Sequence, residues 1–600
     1  MSHPDNEVRN TVVTEEQKEI QHENSMTESG LAEAEAKTPT GHAATEAASN
    51  TSAATTTRKR ASVARSAGIV SLAVMASRVL GLVREMVFAY FFGASKSFAY
   101  DAYVIAFRIP NMLRDLFAEG ALSSAFVTVF SDYLVTRGEK EAFRLSNLIA
   151  TALMLTLGIL VVLGIIFAPE VVSVIAPGFE SDPQKFELTV RLTRIMMPFI
   201  LLVAMAAKAM GILNARDRFA IPALSASFFN VGSIIGGLFF SVLLSGGSFA
   251  HPVNAVLQHP TEAIFGMAYG VLIGGFLQFA VQWPSLRRAG FRYRPQLSFT
   301  DPGVRRILNL MGPAVIGGAA VQVNVFINSN FASSIPGNGP VSWLNYAFRL
   351  MQFPIGVFGV AIATATLPSI SRNAALREVN DFRHTLASSI RLAFLLTIPS
   401  AVGLAVLGRP IIALIYERGD FTSFDTTHTA AALAYYAIGL AGYSAIKILA
   451  PAFYALGDAR KPMMISLLSI VTNFAMNWML VAVLQERGLA LSTSVVALLN
   501  FALLYFMMQR RIHGLEGRKT AATVLKILVA SAVMGAVCRA VSYGISHAAG
   551  ERFFARLLNV ATSVGAGAAV FYFAASILGV EELRAATNAI MRRFGKRASR

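Results

Sequence analysis

Fourteen apolar stretches of about 20 residues or more, each long enough to cross a bilayer as a helix, follow one another near residues 67–92, 99–130, 146–170, 188–213, 221–245, 263–283, 304–330, 341–370, 386–408, 428–456, 462–484, 489–508, 521–544 and 555–579. In hydrocarbon every backbone N–H and C=O must be paired within the protein, so stretches of this length belong to helices. The expected fold is all-α and integral to the membrane, with fourteen transmembrane helices. Composition agrees: the chain is 54% hydrophobic and 14% charged, against about 25% charged in a soluble protein. Its formal net charge of +17 would suit a polyanion, but in membrane chains Lys and Arg collect in cytoplasmic loops, so no nucleic-acid partner is expected. A single cysteine, Cys538, inside "LVASAVMGAVCRAV", excludes an intrachain disulfide and a cysteine metal site.

The connections alternate in basic content. "RKRASVAR", "RGEKEAFR", "NARDRF", "RRAGFRYR", "SRNAALREVNDFRH", "GDARKP", "QRRIHGLEGRK" and "RRFGKRASR" fall on one side; "GASKSFAYD", "SGGSFAHPVNAVLQHPTEA", "SSIPGNGPVS" and "QERGLA" fall on the other. The positive-inside bias puts both termini in the cytoplasm. Residues 1–57 are polar and acidic, without the apolar core of a signal peptide, and read as a disordered cytoplasmic tail.

The chain also repeats itself. "YVIAFRIPNMLRDLFAEGALSS" is echoed by "LNYAFRLMQFPIGVFGVAIATA", and "KAMGILNARDRFAIP" from Lys208 by "KILAPAFYALGDARKP" from Lys447. Both echoes have nearly one offset, which covers an even number of spans. Two parallel six-helix repeats, followed by two further helices, are the plan of alternating-access transporters with a central site. The expected organisation is therefore 1–60 tail, 61–290 first lobe, 291–515 second lobe, 516–585 the two added helices, and 586–600 a basic C-terminus.

The charges inside these stretches carry the functional reading. The first holds Arg78, Arg84 and Glu85; the second holds Asp101, Arg108, Arg114, Asp115 and Glu119; the eighth holds Arg349. An arginine near the bilayer centre costs at least about 2.5–3.5 kcal/mol and usually faces an aqueous path. Pro110 and Asn111 interrupt the second helix at this level. On an ideal helix Asp101, Arg108, Asp115 and Glu119 share a face, and Arg114 points away from any acid. Five arginines outnumber the four acids. Planar guanidinium forks in a low-dielectric cavity suit phosphate or diphosphate.

The stretches "SRVLGLVREMVFAYFFG", "DAYVIAFRIPNMLRDLFAEGALSSAFVTVFSDYL", "APGF", "NARDRFAIPA", "VSWLNYAFRLMQFPIGVFGVAIATATLPSIS", "YERGDFTSFD" and "APAFYALGDARKP" resemble, in order, the signature of the MurJ (MviN) family, lipid II flippases of the multidrug/oligosaccharidyl-lipid/polysaccharide exporter superfamily. The resemblance runs from about residue 67 to 580. It implies two lobes, a cationic central cavity for the diphosphate-sugar head group, a groove along the last two helices for the polyprenyl tail, and a place in the bacterial cytoplasmic membrane. Carried over by motif, Ser77, Arg78, Arg84, Asp101, Asn111, Arg114 and Arg349 would be functional, with Arg108 at a position that is Lys or Arg in relatives; Glu119 joins them from the charge pattern. Many relatives place acids around the eighth-span arginine where this chain has Phe348 and Gln352. Some bind sodium through acids; the matching positions here are Asn328, Asn473, Asn477 and Thr493, where amides and hydroxyls serve equally as helix glue. No cofactor is expected, and the membrane potential or an ion gradient is the candidate energy source. Lipid II, membrane lipids and the cell-wall synthesis machinery are the implied partners.

Two rival functions stand beside this one. The same scaffold could export another lipid-linked oligosaccharide or a drug, although excess intramembrane Arg opposes a cation. A membrane enzyme would need paired acids with a metal, or a nucleophile and base; no H-E-x-x-H or D-x-D occurs, and the nine histidines are scattered.

Overall fold

A computed structural model describes residues 68, 70–116, 121–246, 251–550, 552–584 and 586–588. The N-terminal tail through residue 67 and Glu119 lie outside the described residues. Among the described residues there are helices and no strands. The main helices are α1 (70–92), α2 (Ala99–Arg114) and α3 (Ala121–Thr136), α4 (Gly138–Ile166), α5 (Pro183–Asn214), α6 (Ala220–Leu244) and α7 (Pro260–Arg288). They continue with α8 (Pro302–Ser333), α9 (Pro340–Ala375) and α10 (Val379–Ile415), and with α11, bent by 42° between Ser423–Ile438 and Leu440–Ala455. Last come α12 (Arg460–Leu484), α13 (Glu486–Arg511), α14 (Gly517–Ala549) and α15 (Phe553–Ile577).

Ten of these helices are long and apolar enough to cross a membrane, and twelve if each of two bent pairs is one span. The first two expected spans fall outside that count: α1 carries three charges, Arg78, Arg84 and Glu85, and α2 is described over only 16 residues. The chain is a multi-pass membrane protein.

Local chemistry sets the helix starts. Asp182 precedes Pro183 and accepts from the backbone N–H of Gln184 and Lys185 at 3.1 and 3.2 Å; Asp301 precedes Pro302 and accepts from Gly303 at 2.8 Å. In each the carboxylate satisfies orphan donors, and proline occupies a position whose N–H would be orphaned anyway. Thr422 and Asp425 form a reciprocal capping box at the start of α11. With no hydrophobic drive between helices in lipid, close packing needs small residues. Accordingly α6 and α7 meet through glycine, where a Cβ on Gly270 would lie 2.6 Å from the Cα of Gly237.

The two C-terminal helices are tied to α10 by charge. Arg391, 2% exposed, donates to Glu516 just before α14 at 2.7 Å and to Glu582 just after α15. Burial works against ionisation of Glu516, but hydrogen bonds with His384 and Arg391 outweigh it and hold the carboxyl below its usual range. A lowered carboxylate pKa contributes stability above the unfolded value and loses it as pH falls through the folded one. The clamp is therefore ionised at neutral pH and loosens only in acid. Arg391→Ala is expected to cost about 3–5 kcal/mol, mostly from the acid Glu582 left buried, and Arg391→Met with Glu582→Gln should recover part of it. Thermal unfolding of the purified protein reads this; an unchanged midpoint in Arg391→Ala would show that apolar packing alone holds α14 and α15.

Candidate functional site

Three adjoining cavities of about 590, 100 and 430 Å³ lie around α1, α2 and α9, the first walled also by α6 and α10 and the last by α8. Asn111 and Arg349 line all three. Ser77, Arg78, Arg84, Asn111, Arg114 and Arg349 face the largest, and Arg108 faces the other two. Thus seven of the nine residues singled out in the sequence for substrate binding converge on one polar basin. Arg84 and Glu85 sit on successive positions of α1, and α9 takes a π-helical turn at Ile355–Gly359 just past the lining residue Pro354. Gly356 there has no Cβ because one would overlap the Arg78 guanidinium.

Glu85 is the hub. Its Oε1 takes Arg84 Nη2 at 3.2 Å from its own helix and Arg349 Nη2 at 3.4 Å from α9, and its Oε2 accepts from Tyr100 Oη at 2.7 Å. Asn345 in turn donates to Tyr100 at 3.0 Å. Glu85 and Arg84 are buried, but the Arg349 side chain is 43% exposed. One carboxylate thus serves two guanidiniums. The Arg84 guanidinium also lies over the Phe229 ring, and its Nε has no partner. Arg108 donates to the neutral Ser329 Oγ at 2.8 Å, so its charge is not cancelled by that bond.

Arg114 departs from expectation. It donates from Nε and Nη2 to Asp115 Oδ1 at 3.1 and 2.7 Å, since its long side chain folds onto the carboxylate of the next residue, which a helical-wheel projection of Cβ directions places on another face. The acid that replaces the missing neighbours of Arg349 is Glu85, supplied from α1, which no local spacing announces.

Asp101 lies apart from this basin. It lines none of these cavities, is fully buried, and accepts from Lys185 Nζ at 2.9 Å, the backbone N–H groups of Gly339 and Ser342 at 2.9 Å each, and the Ser342 hydroxyl. It therefore caps the N-terminus of α9 from another helix and belongs to the scaffold. Pairing with Lys185 also removes it from the acids that could balance the arginines. Tyr100, Ser329, Asn345 and Lys185 escaped the sequence reading because each matters only through a partner far along the chain.

Asn328, Asn473 and Asn477 come together, while Thr493 bonds along its own helix. Asn328 Oδ1 accepts from Asn473 Nδ2 at 3.0 Å and from Asn477 Nδ2 at 2.9 Å, Asn473 Oδ1 accepts from Ser492, and Thr493 donates to Leu489 O. These oxygens are spent on one another, leaving Asn477 Oδ1 alone unpartnered. Among the described residues no group of three or more His, Cys, Asp or Glu could hold a metal ion.

Beyond Glu85 the basin is closed at one end by contacts between residues 90–101 and 339–425. Tyr100 stacks on Tyr346 with centroids 4.9 Å apart, Ser95 N–H donates to Asp425 at 3.0 Å, and Lys96 pairs with Asp420 at 2.9 Å. Asp420 N–H donates to Tyr90 O at 3.0 Å. Gly93 and Gly419 both have positive φ, 56° and 62°, and any Cβ on either would run into the facing backbone.

A many-helix membrane transporter whose polar chamber carries more guanidinium than carboxylate is the class that this fold and site define. The family described as Lipid II flippase MurJ matches residues 88–559, and the chain belongs to that family. Lipid II flippase MurJ of Burkholderia cenocepacia is 37% identical over 446 residues, which cover 74% of this chain and 83% of that protein. A probable lipid II flippase MurJ of Buchnera aphidicola subsp. Acyrthosiphon pisum is 34% identical over 515 residues, covering 86% and 97%. Among solved structures, a lipid II flippase MurJ in an inward closed conformation superposes with a TM-score of 0.68 at 27% identity over 85% of this chain and 98% of that one. An inward-facing multidrug resistance MATE family transporter of the MOP superfamily shares the fold alone, with a TM-score of 0.55 at 17% identity over 75% and 95%.

Proposed function

We propose that this chain is a lipid II flippase that carries the undecaprenyl-diphosphate-linked disaccharide-peptide across the cytoplasmic membrane by alternating access, as the family to which it belongs implies. The observation that carries the reading is the pairing of Arg84 and Arg349, from α1 and α9, on the single carboxylate of Glu85 at the wall of a 590 Å³ cavity. A diphosphate entering there meets a partly exposed guanidinium fork that is only half neutralised. A cationic drug would meet like charge. Fourteen spans, arranged as two parallel six-helix repeats with α14 and α15 outside them, accommodate the sequence echoes, and the alternation of basic loops favours cytoplasmic termini. On that orientation the closed end at residues 90–101 is the outer one. An inside-negative potential works with such a substrate, at about 2.3 kcal/mol per charge per 100 mV for an anion moving outward.

Expression in a strain depleted of its own lipid II flippase tests this. Growth should be restored, together with lipid II at the outer leaflet. Normal membrane abundance without either outcome would overturn the proposal; growth without outer-leaflet lipid II would show that a different step had been bypassed.

A further inference from the structure

Lys208 on α5 is 5% exposed, and among the described residues its ammonium meets ring faces and neither a hydrogen-bond acceptor nor an acid. Its echo in the second repeat, Lys447, is exposed, so the duplication does not explain the burial. The ammonium lies 4.5 Å from the Phe291 ring centroid and 6.0 Å from that of Phe126. Ring faces attract the charge but leave its three N–H donors without an acceptor.

Lys208 lines a cavity of about 240 Å³ that shares no residue with the three described above. The walls are apolar and aromatic: Ala150 and Met154 from α4, Met205 from α5, Phe279 and Trp283 from α7, and Phe291 beyond it. Arg287 lies over the Trp283 ring at 5.1 Å. At ~30 Å³ for each water-sized group the space holds about eight such groups. A single cation inside apolar walls matches a single negative charge on an apolar body. Inorganic phosphate would leave the walls without contacts.

We propose that this cavity binds the carboxylate end of a long-chain fatty acid, with the carboxylate on Lys208, the first methylenes against Met154, Trp283 and Phe291, and the rest of the chain leaving toward the bilayer.

Trp283 is one of only three tryptophans, which gives a direct reading. The full-length protein in non-ionic detergent is titrated with a brominated stearate, and tryptophan quenching is compared with that of Trp283→Phe. The expected result is a saturable component absent from Trp283→Phe. Its half-point should rise at least about tenfold in Lys208→Met and stay within about threefold in Lys208→Arg, the difference a charge-assisted hydrogen bond makes. Stearyl alcohol should compete at least about tenfold more weakly than stearate for the same reason. An unchanged half-point in Lys208→Met, or equal competition by the alcohol, would overturn the proposal, as would quenching by a brominated phosphatidylglycerol that stearate fails to displace. Should Lys208→Met not fold, Ala150→Phe, which fills the cavity from α4, must abolish the saturable component; its persistence would overturn the proposal equally.

Discussion

Replacing Arg349 with alanine is expected to lower lipid II translocation at least about 30-fold, the equivalent of ~2 kcal/mol lost from a charge-assisted contact, with protein abundance near normal. The asymmetry around Glu85 gives the reason. Its carboxylate keeps Arg84 and Tyr100 when Arg349 is removed, so no buried charge is orphaned. The lost side chain is the partly exposed one, free to exchange Glu85 for a phosphate oxygen. Arg349→Lys should restore little, because the ammonium keeps the charge without the planar fork. Arg114→Ala, which removes a second guanidinium from the wall of the same basin, should also lower transport. Outer-leaflet lipid II measured at matched protein levels decides; native-level transport by Arg349→Ala would remove the diphosphate reading of the cavity.

Asp101→Ala should fail in the opposite manner, by loss of protein rather than loss of binding. Removing this carboxylate leaves Lys185 buried without an anion, at about 3–5 kcal/mol, and strips α9 of a cap worth about 0.5–2 kcal/mol. Those sums are a large part of the roughly 5–15 kcal/mol that holds a typical domain folded. Membrane abundance is expected to fall several-fold, and Lys185→Met in the same chain should recover part of it. Full abundance combined with abolished transport would return Asp101 to the substrate pathway.

The basin was legible in the sequence where a charge had no business being in hydrocarbon. Arg78, Arg84, Arg108, Arg114 and Arg349 stand out for that reason, and Ser77 and Asn111 came with the motifs that surround them. What the sequence hides is pairing across distance. Asp101 looks like another pathway charge until Lys185, 84 residues on, and Gly339, 238 residues on, are seen to enclose it. Helical-wheel projection assigned Arg114 no acid because it follows Cβ directions and not the reach of a long side chain, which here turns onto the neighbouring Asp115. Likewise, apolar length marks all fourteen stretches in the sequence, but it does not show that the first two, which carry the charges, build the site.

Gly93 and Gly419 bring main chain against main chain, and this sets how the chamber can change state. Side chains yield gradually by rotating through staggered wells, whereas abutting backbones have no such reserve. The junction acts as a digital element: its partners are either in register or apart, with no loosened setting between them. Excursions to the opposite access state should therefore be abrupt and widely spaced in time, with a leak-tight interval before each one.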